Sequence, residues 1–182
     1  MGIIFQSLGR TVSAGVLLLV IVMVMTTGGL DLVNGLRWSH TISGVLWIGL
    51  LYYFNFVQIP SMPKIPDEHK PAIGKVIAPA ALFWFRWAAL ATVVTGLLVA
   101  AGAGYLVEAL TLELQMIGIG MWLALVMAFN VWFIIWPNQK KALGIVVVEA
   151  ADKAKAARLA MLTSRFNTML SIPMLYCMIA QS

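Results

Sequence analysis

Charged residues are scarce in this chain of 182 residues: only 10% are Asp, Glu, Lys or Arg, while 62% are hydrophobic. A soluble domain is typically about 45–50% apolar and about 25% charged. A larger core does not account for the difference, because a chain of this length must cover its own surface with polar groups. We therefore expect much of the surface to face a lipid bilayer. The net charge of +5 then reflects orientation in the membrane, and no nucleic-acid partner is expected.

Cysteine is almost absent as well. The single Cys177 lies within an apolar segment near the end of the chain. One cysteine excludes an internal disulfide, a Cys-x-x-Cys redox pair and a c-type haem attachment site within this chain. The sequence also lacks a phosphate-binding loop, a zinc-ligand spacing and a nucleophile triad. The enzyme classes that depend on those motifs are set aside.

Long apolar segments are what the chain does contain. A hydrocarbon core about 30 Å thick requires roughly 20 apolar helical residues, and an open sheet edge cannot exist in lipid. We predict an all-α integral membrane protein, a bundle of about five transmembrane helices. The predicted spans are residues 11–30, 38–59, 79–103, 112–136 and 159–180. The first resembles a signal peptide in composition and is interpreted as a spanning helix.

Prolines suggest where two of the spans end. Proline removes a helical hydrogen bond and clashes with the preceding turn, so the second span is expected to stop at Pro60 and the fourth at Pro137. Three more prolines follow in residues 61–76, which predicts an extended, stiff loop. The loop over residues 138–158 is charged and alanine-rich, and it is expected to be helical as it enters the fifth span.

Lysine and arginine are distributed unevenly between the predicted loops. Nine lie on the side shared by the N-terminus and the second and fourth loops, and only Arg37 lies on the other side. Cytoplasmic loops carry such an excess. The sequence therefore predicts a cytoplasmic N-terminus, an outer C-terminus and residence in a bacterial cytoplasmic (inner) membrane. The outer side carries Asp31, Glu108 and Glu113 and is weakly acidic. The nine basic residues are Arg10, Lys64, Lys70, Lys75, Lys140, Lys141, Lys153, Lys155 and Arg158.

Polar side chains within the spans are candidates for function, because they are costly at membrane depth. The predicted topology places five of them in the cytoplasmic half of the bundle. Two guanidinium groups with amides beside them suit an anion or a planar polar ligand. The alternative is hydrogen bonding between helices, with the arginines reaching the interface. The candidate anion site consists of Arg86, Arg165, Asn167, Asn130 and Asn55.

His40 is a separate candidate, as a haem or metal ligand near the outer face. His69 lies in the loop at the opposite face, so about 20 helical residues, or about 30 Å, separate the two levels. A haem held by two histidines of this chain is therefore not expected. The favoured interpretation is that this chain alone binds no cofactor. His40 can still hold haem together with a partner chain, or it can be a hydrogen-bonded interface residue.

Four stretches carry a family resemblance. They are LRWSHTISGVLWIG at residues 36–49, NVWFIIWPNQKK at 130–141, SRFNTMLSIPML at 164–175 and, more weakly, LFWFRWA at 82–88. Together they resemble the membrane domain of bacterial cytochrome-c-linked urate oxidase, also called urate hydroxylase. That family shows RWLH-x-x-x-G-x-x-WIG, PNQKK, R-S-x-H-N-x-x-L-x-x-P-x-L and LHWFKWEA. The PNQKK stretch is the most specific of these matches.

The resemblance implies a four-helix membrane domain over residues 36–182, with residues 1–35 as an added transmembrane helix. It also shows departures. Phe83 and Phe166 stand where the family pattern has histidine, and Ala88 stands where it has glutamate. The family's C-terminal cytochrome c domain is not found in this sequence. His40 and Asn167 match the pattern, Arg86 keeps the cation where the pattern has lysine, and Arg165 lies two residues after the position of the pattern's arginine. The resemblance therefore implies that the scaffold is kept while ionisable groups are lost.

Two functional hypotheses follow. The first is an accessory, structural subunit of an electron-transfer or oxidoreductase membrane complex, whose helices contact other membrane subunits and whose acidic outer face can receive a soluble cytochrome c. The second is a catalytic urate hydroxylase that oxidises urate to 5-hydroxyisourate, with its electron acceptor supplied in trans. The first is favoured, because acid–base chemistry requires a group that titrates near working pH. Transport is less favoured, because no acidic relay crosses the spans.

Overall fold

The computed structural model describes residues 2–29 and 31–180, and every regular element within them is helical. The all-α prediction is confirmed. Four helical rods in this described part are long and apolar enough, by length and composition, to cross a membrane. They are Leu8–Thr26, Leu32–Lys64, Lys70–Gly102 and Gln115–Ala142. The long α-helices are α1 (Leu8–Thr27), α2 (Leu32–Tyr52), α3 (Ala78–Gly102), α4 (Gln115–Phe129) and α5 (Ala150–Ala180).

Shorter elements extend or connect these helices. The short α-helices are Gly2–Phe5, Ile59–Ser61, Lys70–Ala72, Leu106–Leu110 and Trp136–Ala142, and Met62–Lys64 is a 3₁₀ turn. Three segments are π-helical, namely Tyr53–Gln58, Ile73–Ile77 and Asn130–Ile135. Each π-helical segment is continuous with a long rod, so α2, α3 and α4 are each extended at one end.

The fifth predicted span forms a helix but differs in composition from the other four. α5 is 31 residues long, begins with a charged stretch that contains Asp152, and is not among the rods apolar enough to cross a membrane. Its polar residues Ser164, Asn167 and Ser171 are buried against the neighbouring helices. Polar side chains that are satisfied inside the bundle lower the mean hydropathy of α5. The five-span topology therefore stays a prediction, with four spans supported by composition.

The prediction that Pro60 and Pro137 end their helices is wrong. The two rods continue to Lys64 and Ala142. A proline ring clashes with the carbonyl group four residues earlier and lacks an N–H. A wider π-turn removes that conflict without ending the helix. All three π-helical segments contain the residue four positions before a proline: Phe56 before Pro60, Lys75 before Pro79 and Phe133 before Pro137.

The loop over residues 61–76 is also more helical than predicted. Only residues 65–69 lie outside helical turns. Pro63 and Pro71 are each the second residue of a short helix, within the first turn, where the N–H has no helical partner to lose. Lys70 Nζ lies 2.6 Å from Asp67 Oδ1 across this turn. This hydrogen bond and the charge of Lys70 hold the pKa of the Asp67 carboxyl below its usual value.

Large apolar side chains hold α2–α5 together. Trp47, Leu51, Phe85, Met127 and Val131 are at most 2% exposed and belong to one cluster. α2 packs along α3, and α5 packs along α4 and the helix that extends it. By contrast, no residue in the apolar window of α1 is buried. α1 therefore contributes nothing to this core, and the predicted boundary at residue 35 stays a prediction.

Candidate functional site: a buried amide cluster and a cavity lined by His40

The predicted polar cluster begins with two amides that bond to each other. Asn130 Nδ2 donates to Asn167 Oδ1 at 2.8 Å, and Asn167 Nδ2 donates to the backbone oxygen of Met127 at 2.9 Å. Asn167 is fully buried. These two bonds join α5 to the rod that contains α4. Such interhelical hydrogen bonds are a common way to join helices in lipid.

A second set of bonds joins α5 to the rod that contains α2. Asn55 Nδ2 donates to Ser164 Oγ of α5 at 2.8 Å and, within its own rod, to the backbone oxygen of Leu51 at 2.9 Å. The Tyr52 hydroxyl lies 3.0 Å from Ser171 Oγ. The buried polar side of α5 is thus matched by polar groups on two neighbouring helices. The sequence analysis missed Ser164 and Ser171, because a serine within an apolar segment does not indicate which residue of another helix it bonds to.

The cluster retains some unused polar capacity. Asn55 Oδ1 and Gln58 Oε1 are buried acceptors with no donor among the residues that the structure describes. The indole N–H of Trp132 is likewise buried without an acceptor there. Buried polar groups are nearly always hydrogen-bonded in native proteins. These three groups leave unpaired hydrogen-bonding capacity on the π-helical segments Tyr53–Gln58 and Asn130–Ile135.

The two arginines of the predicted site lie in different environments. The Arg86 guanidinium carbon lies 3.8 Å from the centre of the Trp136 ring, a close cation–π contact. Arg165 is exposed. Within residues 2–29 and 31–180, no hydrogen bond or ion pair joins either arginine to the amides or to a carboxylate. The structure brings Asn130 and Asn167 together and bonds Asn55 to Ser164; an anion site formed by all five residues stays a prediction.

A cavity that the sequence analysis missed lies toward the other end of the bundle. It has a volume of about 950 Å³ and is lined by residues of α2, α3, α4 and α5. Its walls are mostly apolar. The side chains on its wall that carry a polar group are Arg37, His40, Thr41, Trp47, Thr92 and Tyr105. No single segment of the sequence signals this cavity, because each of the four helices supplies only part of the wall.

His40 is held in one orientation on this wall. Its Nδ1 lies 2.9 Å from the backbone oxygen of Thr92. A carbonyl oxygen only accepts hydrogen bonds, so Nδ1 carries the proton in the neutral ring. Nε2 then has a lone pair, and no described residue donates to it. A Cβ added to Gly96 would lie 2.8 Å from His40 Cε1, so only glycine lets the ring lie this close to α3.

Phe83 and Phe166, which the resemblance places at histidine positions of the family pattern, face away from the interior. Phe83 is 46% exposed and Phe166 is 45% exposed, whereas His40 lines the cavity. Within the described residues, no group of three or more His, Cys, Asp or Glu side chains could hold a metal ion. A bare metal centre made from these side chains therefore has no support in this structure.

Comparison with known proteins gives one finding. Residues 99–182, less than half of the chain, match the family model described as urate oxidase N-terminal. The matched part contains α4, α5, Asn130, Arg165 and Asn167, and it excludes His40 and Arg86. No curated protein and no solved structure matches the chain. The C-terminal part of this helical chain is therefore similar to the urate oxidase N-terminal family.

Proposed function

We propose that this chain is an accessory membrane subunit of an electron-transfer or oxidoreductase complex, built on a urate-hydroxylase-like scaffold. One observation carries the proposal. The amides at the proposed cytoplasmic end, Asn55, Asn130 and Asn167, donate to other helices or to the backbone. They support packing rather than surround open space.

The chemistry of this end of the bundle is consistent with an accessory role. A general acid or base must lie within hydrogen-bond reach of its substrate and must titrate near the working pH. The predicted site contains only two arginines and three amides, and Arg86 is stacked on Trp136. Guanidinium and amide side chains are donors and acceptors of hydrogen bonds rather than general acids or bases. Urate oxidation on this chain would need a base from elsewhere.

The exposed apolar surface supports a place among lipids and partner helices. The window of α1 has a mean hydropathy of 2.2 and no buried residue. Large hydrophobic side chains are also exposed along the rods of α2 and α4 and along α5, for example Val45, Phe133 and Ile172. A surface of this kind is stable in a bilayer or against other transmembrane helices. We propose that it is covered by both in a bacterial cytoplasmic membrane.

A catalytic urate hydroxylase is the second candidate, and two observations favour it. Residues 99–182 match the urate oxidase N-terminal family. Arg86 has no carboxylate partner among the described residues, so its charge can pair with the urate anion. The unpartnered acceptors Asn55 Oδ1 and Gln58 Oε1 are of the type that could receive N–H groups of urate.

Co-purification combined with a urate assay distinguishes the two candidates. The full chain is purified from its native membranes in mild detergent, its partners are identified, and urate oxidation is measured with an added electron acceptor. We expect redox subunits in the complex and no turnover by the chain alone. Turnover by the bare chain, lost in Arg86→Gln but kept in Arg10→Gln, would establish the catalytic alternative and refute the accessory role.

The proposed topology has its own test. In a Cys177→Ser background, single cysteines at Lys64, Lys140 and Glu108 are labelled with a membrane-impermeant maleimide. We expect Lys64→Cys and Lys140→Cys to react only after permeabilisation, because both lie at the basic ends of their rods, on the side proposed to be cytoplasmic. Glu108→Cys should react in intact cells. The reverse pattern would place the basic loops outside and refute the orientation.

A further inference from the structure

We propose that the cavity between α2, α3, α4 and α5 binds one haem, an iron porphyrin, with His40 Nε2 as the axial ligand from this chain. The inference goes beyond the proposed function, which assigns no ligand to the chain. It also departs from the expectation that haem would need a partner chain to complete the site. The supporting features are the imidazole geometry, the shape and polarity of the cavity, and Arg37 on its wall.

The His40 ring has the arrangement that metal-ligating histidines use. Such a histidine donates its second ring N–H to a backbone carbonyl or a carboxylate, which fixes the tautomer and the ring orientation. Here the acceptor is the backbone oxygen of Thr92, 2.9 Å from Nδ1. The absence of a side chain at Gly96 lets the ring lie against α3. Nε2 is therefore left as a lone-pair donor on a ring that cannot turn freely.

The composition of the wall favours a porphyrin over a bare ion. A porphyrin supplies four nitrogen ligands itself, so the protein needs to provide only one or two. That requirement fits a cavity with a single histidine and no group of three acidic, cysteine or histidine side chains in the described chain. The volume of about 950 Å³ lies near the upper end of ordinary ligand pockets, about 300–1,000 Å³. The remaining wall is mainly apolar, as a macrocycle requires.

Arg37 supplies the charge that the acidic edge of haem requires. It lies three residues before His40 on α2, so the two side chains share one side of the helix. Both line the cavity, and no carboxylate pairs with Arg37 within the described residues. A guanidinium binds a carboxylate with two parallel hydrogen bonds. An acyl chain would use the apolar wall but neither the imidazole nor this cation.

Titration with ferric haem tests the proposal. The full chain in mild detergent is titrated while the absorption spectrum is recorded. We expect one equivalent to bind with a shift of the main haem band. His40→Ala should weaken binding at least ten-fold and lose the shift, and added imidazole should restore the spectrum. His69→Ala is the matched control, because that side chain is 69% exposed in the loop, and it should bind like the original chain.

Two further variants keep the result interpretable. Gly96→Ala should lower haem affinity although His40 itself is unchanged, because the new Cβ displaces the His40 ring. Gly35→Ala on α2 has nothing within 4 Å of its new Cβ and should leave binding unchanged. Arg37→Gln should weaken binding about ten-fold and keep the shifted spectrum, as loss of one charge-assisted contact predicts.

Any one of three results would overturn the haem site. In the first, the monodisperse original chain binds no stoichiometric haem. In the second, His40→Ala binds haem with the same affinity and spectrum as the original chain. The third result is haem binding by Gly96→Ala that equals binding by the original chain. Size-exclusion profiles and helical circular dichroism confirm that each variant is folded. Haem binding is measured on the isolated chain, whereas the accessory role is tested by co-purification from membranes. Either proposal can therefore fail without the other.

Discussion

Replacing Asn167 with alanine removes two hydrogen bonds between α5 and the rod of α4. These are the 2.8 Å bond from Asn130 Nδ2 and the 2.9 Å bond to the Met127 backbone oxygen. Interhelical hydrogen bonds in membrane proteins contribute about 0.6 kcal/mol on average and about 1.7 kcal/mol at most. Leaving a buried donor and a buried acceptor without partners costs about 1–3 kcal/mol. We expect Asn167→Ala to lower the free energy of unfolding by about 1–3 kcal/mol.

Denaturant titration in mixed micelles measures this change, and a double-mutant cycle with Asn130→Ala isolates the pair. Two residues in direct contact should show a coupling energy of about 0.6–1.7 kcal/mol. Asn138→Ala is the matched control, because Asn138 Nδ2 donates only to the Ile134 backbone oxygen of its own rod. It should change stability by less than Asn167→Ala does.

The refuting result is specific. If Asn167→Ala unfolds at the same denaturant concentration as the original chain and the cycle shows no coupling, the amides do not join α5 to α4. The argument that the polar cluster serves packing would then fail, and the anion-site interpretation would gain weight. A large effect with coupling would explain why Asn167 is fully buried in a helix that packs against the rods of α2 and α4.

Two further predictions concern close packing and the second loop. Gly118→Ala should destabilise the bundle by about 1–3 kcal/mol in the same titration, because its Cβ would overlap the Ala109 backbone oxygen. Gly49→Ala, with open space at its Cβ, should be neutral or stabilising, and equal effects would contradict this packing. Lys70→Met should raise the pKa of Asp67 toward its ordinary value of 3.8, measured by carboxyl NMR. Lys70 lowers the pKa of Asp67 in the folded chain. The contribution of this pair to stability is therefore present above the unfolded pKa of Asp67 and is lost as pH falls through the folded pKa. An unchanged pKa of Asp67 in Lys70→Met would mean that the pair does not form in solution.

Helix content and placement followed well from the sequence. Apolar runs of about 20 residues predicted the five long helices, because the transfer of a segment into lipid depends on its own composition. The helix ends were less predictable. Pro60 and Pro137 suggested stops, but a π-turn before each proline lets the rod continue. Such a turn depends on packing against neighbours, which local rules on proline do not include.

The candidate site was predicted in part. The topology placed Asn130 and Asn167 at one level, and the structure shows them bonded. Arg165 was expected beside them but is exposed. The spacing itself carried that information: residues two apart on a helix, such as Arg165 and Asn167, do not share a face. The bond of Asn167 into the bundle therefore directs Arg165 away from it.

The sequence by itself determined that this chain is helical, that most of its segments suit a bilayer, and that its C-terminal part is similar to a known family. These properties follow from the residue composition and from the order of residues within each segment. Only the tertiary structure decided that His40 rests on Gly96, donates to Thr92 and lines a cavity of about 950 Å³. The rotation and depth of each helix relative to its neighbours create that cavity. No single segment encodes them, because the wall exists only when four helices meet.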